Sequence, residues 1–221
     1  MRINQFLAQA TGLSRRYVDL AIKDGRVMVN NELARIGQLI ELSDKITLDN
    51  KLVSTPKQKT VLLINKPSGY VCSRDGQGSP TIYDLIPTKY HNLKHVGRLD
   101  KESSGLILLT DDGELAHKLS HPSFDKLKIY IVVLNKTLTP KDQSSLEKGK
   151  IILDGKPSVL KIKFYGEDLN TYEVELREGR NRQIRRTFSQ LGYEIKDLNR
   201  IQFGEYSLSQ LNKQRFIKVK D

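Results

Sequence analysis

The 221-residue chain reads as an α+β protein of two modules, and three features of its sequence predict this. Helical and strand patterns do not alternate strictly, which favours a mixed, mostly antiparallel sheet flanked by helices over a doubly wound one. The first fifty residues carry their own pattern of two helices and a small sheet, too small for a catalytic core. A polar, proline-containing stretch at 51–59 then reads as a linker to a larger module at 60–221.

In the small module, Ile3, Phe6, Leu7 and Ala10 repeat at helical spacing, and Gly12 ends that helix. Ser14 is a good N-cap for a second helix with Val18, Ala21 and Ile22 on its apolar face, stopped by Asp24-Gly25. Residues 26–29 alternate as a strand, Asn30-Asn31 reads as a tight turn, and residues 46–48 as a closing strand. In the large module, strands are expected at 60–65, 106–110, 128–134, 158–164, 171–176 and 194–203. Helices are expected at 81–86, 113–120, 140–148 and 183–191.

Composition narrows the partners. Lysine and arginine exceed the acids by 37 to 26, giving +11 and a pI near 9.6. Such a surplus favours a polyanion through steering and counterion release. Without a Lys-rich amphipathic helix bearing an aromatic face, nucleic acid is the better expectation than a membrane surface. Cys72, the single cysteine, excludes an intrachain disulfide and reads as a packed thiol. The longest apolar run, 129–134, is too short to span a bilayer, and the N-terminus lacks a signal-peptide core, so a cytoplasmic location is expected.

Gly97-Arg98-Leu99-Asp100, followed by Ser103-Ser104-Gly105 and an apolar run, sets a carboxylate beside an arginine on a bend before a strand. Such a loop can hold a reactive side chain at fixed geometry, although a turn aspartate is the plainer reading. Five arginines fall within 177–186. On the helix at 183–191, Ile184, Phe188 and Leu191 share one face; Arg182 and Arg186 lie opposite, and Arg185 at the flank can aim inward at a carboxylate. Arg15, Arg16, Lys23 and Arg26, at or near the second helix, could contact phosphate, or form a solvated charged face. Arg180, Arg182 and Arg186 extend the candidate RNA contacts. Tyr130 could be a core aromatic or a platform for a displaced base. His117 and His121 could pair on a helix, but Pro122 ends it there and no further ligand pattern is near, so no metal is expected. No phosphate-binding glycine motif supports a nucleotide cofactor.

At these residues the chain resembles the S4-domain-containing ribosomal RNA pseudouridine synthases, the type named after small-subunit pseudouridine synthase A, with its large-subunit relatives. Residues 1–50 look like an S4 RNA-binding domain through Ser14-Arg15-Arg16 and residues 24–30. Residues 65–69 (Asn-Lys-Pro-Ser-Gly), 97–100 with 104–106, 128–130 and 178–186 match the family's successive motifs in order. The resemblance implies a pseudouridine synthase core that isomerises a uridine of ribosomal RNA. Asp100 would be the nucleophile, attacking C6 of the base or C1′ of the ribose, with Arg185 stabilising its charge. Tyr130 would stack on the flipped uracil. Lys66 and Arg98 would orient the loop or contact phosphate. No cofactor or metal is implied. The expected partner is ribosomal RNA or a pre-ribosomal particle, bound by a monomer. Residues 198–201 with Gly204 lean toward the large-subunit members. Thr187 departs from the pattern, where an apolar residue often follows the arginines. The alternatives are a non-catalytic RNA-binding or ribosome-assembly factor and, further off, a metal-dependent nuclease.

Overall fold

The computed structural model describes residues 1–41, 43–54 and 59–219, which fall into two compact units, Met1–Lys59 and Thr60–Asp221. In the first unit, α1 (Ile3–Thr11) buries Ile3, Phe6 and Leu7, each worth roughly 1.5–3 kcal/mol. Gly12 ends the helix at φ 78°. Helix α2 (Arg15–Lys23) starts where Ser14 Oγ accepts the Tyr17 N–H, and it buries Val18, Ala21 and Ile22. Strands β1 (Val27–Val29) and β2 (Glu32–Leu33) flank Asn30 and Asn31, both at positive φ as a two-residue hairpin loop requires.

Strand β3 (Ile46–Leu48) pairs with β1, and β4 (Lys51–Leu52) pairs with β3, giving an antiparallel sheet in the order β2-β1-β3-β4. The linker expected at 51–59 therefore begins later. Lys51 and Leu52 satisfy their backbone across β3, a short pairing that polar composition does not reveal. Residues 55–58 lie outside the described residues.

The second unit opens with β5 (Val61–Lys66), β6 (Lys94–Val96) and β7 (Ser104–Thr110). Helix α3 (Gly113–Ser120), capped by Asp112, leads to β8 (Lys128–Leu134), and α4 (Pro140–Glu147), capped by Thr139, follows. A hairpin of β9 (Ile152–Leu153) and β10 (Lys156–Pro157) precedes β11 (Lys161–Phe164) and β12 (Thr171–Leu176). Helix α5 (Gln183–Gln190), β13 (Ile195–Phe203), β14 (Tyr206–Ser207) and β15 (Phe216–Lys218) complete it. Among the described residues nine strands form one sheet, with the path β11-β12-β8-β13-β7-β5-β15, β14 beside β13 and β6 beside β7. The β13–β7 pair is parallel and the other described pairs are antiparallel, so the sheet is mixed.

Alternation along β5 and β7 explains their uninterrupted apolar sequence. Leu62, Ile64, Ile107 and Leu109 face one core, with Tyr172 and Phe188; Leu63, Leu106 and Leu108 face another, with Leu119 and Phe203. Both faces are covered at the centre of the sheet. Two expected elements differ. Residues 81–86 form a 3₁₀ turn, Ile82–Leu85, held by reciprocal bonds between Thr81 and Asp84. The strand expected from 158 begins only at Lys161, because Ser158 and Leu160 turn inward at 0% exposure.

Ser158 explains the unusual Thr187. Both side chains are fully buried and lie 2.8 Å apart, oxygen to oxygen. Thr187 Oγ1 also donates to the Gln183 carbonyl at 2.8 Å, and Gln183 Nε2 donates to Ser158 Oγ at 3.0 Å. A hydroxyl on α5 thus has a hydroxyl waiting in the loop before β11. Thr187→Val keeps the shape but leaves the Ser158 hydroxyl proton without its acceptor. The expected cost is about 1–2 kcal/mol, read by urea denaturation.

Candidate active site

A cleft of about 290 Å³ lies in the second unit, between the loop ahead of β7, strands β8 and β13, and the start of α5. Arg98, Asp100, Tyr130, Arg182, Arg185 and Arg200 all line it. The Asp100 carboxylate is 29% exposed, reachable yet sheltered. Arg182 Nη1 lies 3.6 Å and Arg185 Nε 4.0 Å from Asp100 Oδ2.

The loop bearing Asp100 is pinned from beneath. Lys66, at 0% exposure, donates from Nζ to the carbonyls of Ser103 (2.5 Å), Pro67 (3.0 Å) and Lys101 (3.3 Å). The Gly69 N–H reaches the Lys101 carbonyl at 2.7 Å. The Leu99 N–H meets Cys72 Sγ at 3.4 Å. Cys72 is buried, and desolvation pushes its thiol pKa up, so it packs rather than attacks. From the front, Arg185 Nη2 donates to Ser103 Oγ at 3.2 Å and to the Glu102 carbonyl at 3.3 Å. Asp100 is held by both of its flanks.

Lys66 therefore orients the loop, since a fully buried ammonium cannot meet a phosphate. Burial pushes its pKa below the ordinary lysine value of 10.5. The folded state binds that proton less tightly than the unfolded chain does. Lys66 thus contributes stability that is present above about 10.5 and lost as pH falls through the lowered value. Lys66→Met removes the dependence and leaves three carbonyls unmet. The wild type should gain stability over this variant as pH rises toward 10.5, measured by chemical denaturation at stepped alkaline pH.

The arginines divide by what they touch. Arg182 adopts a left-handed backbone, φ 47°, at the start of α5, and its Nη1 also meets Glu102 Oε2 at 3.0 Å. That bond holds the Glu102 pKa below the usual carboxylate range. Arg98 is exposed on the cleft wall, with no partner among the described residues. Arg180, expected to meet RNA, is instead occupied. It donates to the carbonyls of Leu153, Lys156 and Pro157 and to Glu178, tying the β9–β10 hairpin to the loop before α5. Arg186 pairs with Asp154 at 2.7 Å. In the first unit Arg26 grips Asp49 with two nitrogens at 2.6 Å, while Arg15, Arg16 and Lys23 are exposed. Sequence spacing carries no sign of these carboxylate and carbonyl partners.

Tyr130 projects from β8, opposite Arg200 of β13 across the antiparallel pair. It is 9% exposed, and its hydroxyl has no partner among the described residues. His117 and His121 stack at 4.8 Å and meet Phe124 edge-on; no group of three metal-ligating side chains occurs among the described residues.

The family model for RNA pseudouridylate synthase matches residues 60–190, the stretch that holds Asp100, Tyr130 and Arg185. The chain belongs to the RNA pseudouridylate synthase family. The synthase is 37% identical over 218 residues to ribosomal large subunit pseudouridine synthase B of Buchnera aphidicola subsp. Baizongia pistaciae, covering 94% of this chain and 88% of the relative. It is 36% identical to the protein of that name from Escherichia coli strain K12, covering 94% and 75%. For the Pseudomonas aeruginosa relative the identity is again 36%, but the synthase spans only 56% of that longer chain. A crystal structure of a pseudouridylate synthase superposes with a TM-score of 0.69 and 30% identity, over 100% of this chain and 96% of the other.

Sequence reasoning assigns no site role to Lys128 and Arg200 of the cleft, nor to Glu102, which pairs with Arg182 beside it. Glu102 could have been found as the second acid beside the loop. Lys128 and Arg200 sit inside strand patterns, where a charged residue gives no hint of which way it faces.

Proposed function

We propose that this synthase isomerises a uridine of ribosomal RNA, in the large subunit, with Asp100 as the nucleophile. The observation that carries the assignment to Asp100 is its position: a carboxylate 29% exposed in a cleft, with two guanidinium groups within 4.0 Å and its loop anchored by a buried lysine. The reaction must break the N1–C1′ bond, hold the free base, turn it and rejoin it through C5. A carboxylate that bonds covalently to C6 or C1′ divides this into easier steps. Tyr130 offers its ring to the everted uracil, with an unpartnered hydroxyl nearby. Arg98 and Arg182 face the backbone phosphates.

The large-subunit assignment rests on the relatives' names together with the sequence at 198–204. Residues 1–50, extended by β4 to Leu52, act as an S4-like RNA-binding domain, with Arg15, Arg16 and Lys23 exposed at the two ends of α2. The enzyme works in the cytoplasm, as a monomer, on ribosomal RNA or an assembling particle; no described helix is long and apolar enough to cross a membrane. The test supplies the purified chain with large-subunit and small-subunit ribosomal RNA in parallel and maps new pseudouridines by carbodiimide-dependent reverse-transcription stops. A new stop in the large-subunit RNA is expected; one confined to small-subunit RNA overturns the subunit assignment.

A further inference from the structure

Arg200 is the most deeply buried cation of the cleft, at 2% exposure. Its Nε donates to the Leu106 carbonyl at 2.8 Å, and its guanidinium lies 4.7 Å from the Phe203 ring centre. The rest of its donors are idle. Nη2 is buried with no acceptor, and no carboxylate among the described residues lies within ion-pair range. A guanidinium presents five N–H groups, and the two on the buried Nη2 have given up water without gaining a replacement acceptor. Holding one strand carbonyl needs one donor. The remainder point to an acceptor that arrives with the substrate.

We propose that Arg200 is a substrate-contacting residue whose free Nη donors receive a carbonyl oxygen of the everted uracil. This rests on the isomerase reading above. Arg200 sits opposite Tyr130 in the β13–β8 register, so a ring packed on Tyr130 brings its polar edge to Arg200. Phosphate fits less well. Arg98 is exposed, and the Arg182 side chain is 43% exposed, so these meet a hydrated, doubly flanked phosphate where it can stay wet. A neutral carbonyl is far cheaper to bring into a dry place. When the N1–C1′ bond breaks, its electron pair stays on the ring and spreads to the carbonyl oxygens. A fixed, buried guanidinium stabilises that charge as it forms.

The experiment uses the full chain labelled with ¹⁵N-arginine and an RNA fragment that the wild type modifies. One fragment carries the target uridine; its twin carries an abasic ribose there. Arg200 Nη signals should move with the uridine fragment and stay still with the abasic one. Equal movement with both shows a backbone contact and overturns the proposal, as does movement with neither. Arg200→Lys adds a kinetic arm. Single-turnover isomerisation should fall about 10²–10³-fold, with RNA affinity within about threefold and its salt slope unchanged. A loss of RNA affinity as large as the loss of rate means a backbone contact instead. Should that variant fail to fold, the wild-type spectra still decide. A wild type that modifies no ribosomal RNA defeats the isomerase reading, whereas an active wild type with unmoved Arg200 signals defeats this proposal alone.

Discussion

Asp100→Asn should lose isomerisation by at least about 10³-fold in single turnover while binding RNA as well as the wild type, within about threefold. The amide is nearly the same size, so Arg182 and Arg185 keep their places, and the loop keeps its bonds to Lys66, Gly69 and Cys72. What is lost is the pair of electrons that bonds the base or the sugar. Because the aspartate also repels the approaching polyanion, affinity should if anything tighten. Filter binding and quenched-flow pseudouridine assays separate the two effects. Equal loss of binding and rate would show that Asp100 shapes the cleft instead of reacting.

Gly105→Ala should destabilise the second unit by about 3 kcal/mol or more. Gly105 has φ +102°, a conformation that L-residues rarely adopt, where β7 runs parallel to β13. A methyl there would fall on the Arg200 carbonyl and the Asn199 side-chain oxygen, and within 2.6 Å of the Arg200 nitrogen. The Arg200 nitrogen and carbonyl are backbone of a paired strand, so they cannot swing aside even where the Asn199 side chain can. Strands β7 and β13 would have to separate, and they carry the Asp100 loop at one end and Arg200 in the middle. The urea midpoint should drop sharply, and activity should fall even in the fraction that folds. A variant with wild-type stability would mean that the crossing is looser than its register implies.

The large elements of the fold were legible because each has a strong local signature. Strands β8 and β12 and helix α3 fall on the expected residues: the apolar run of β8 and the alternation of β12 need no tertiary knowledge, and α3 is capped locally by Asp112. Strands β6, β9, β10, β14 and β15 are two or three residues long, too short for any period, and exist because longer neighbours pair with them. At the site, residue types pointed toward Asp100, Tyr130 and Arg185, and the structure brings all three to one cleft. Availability was not legible. Arg180 and Arg186 look identical to Arg182 in a basic run, yet three backbone carbonyls claim the first and Asp154 the second. Thr187 shows the converse: a polar residue at an apolar position makes sense only when Ser158, 29 residues earlier, is found against it.

The most direct measurement counts pseudouridine at single-nucleotide resolution in large-subunit ribosomal RNA treated with the wild type and, in parallel, with Asp100→Asn. The structure predicts one new position with the wild type and none with the variant. Conversion of that uridine to the same extent by both proteins would contradict it, because the reacting group would then lie elsewhere.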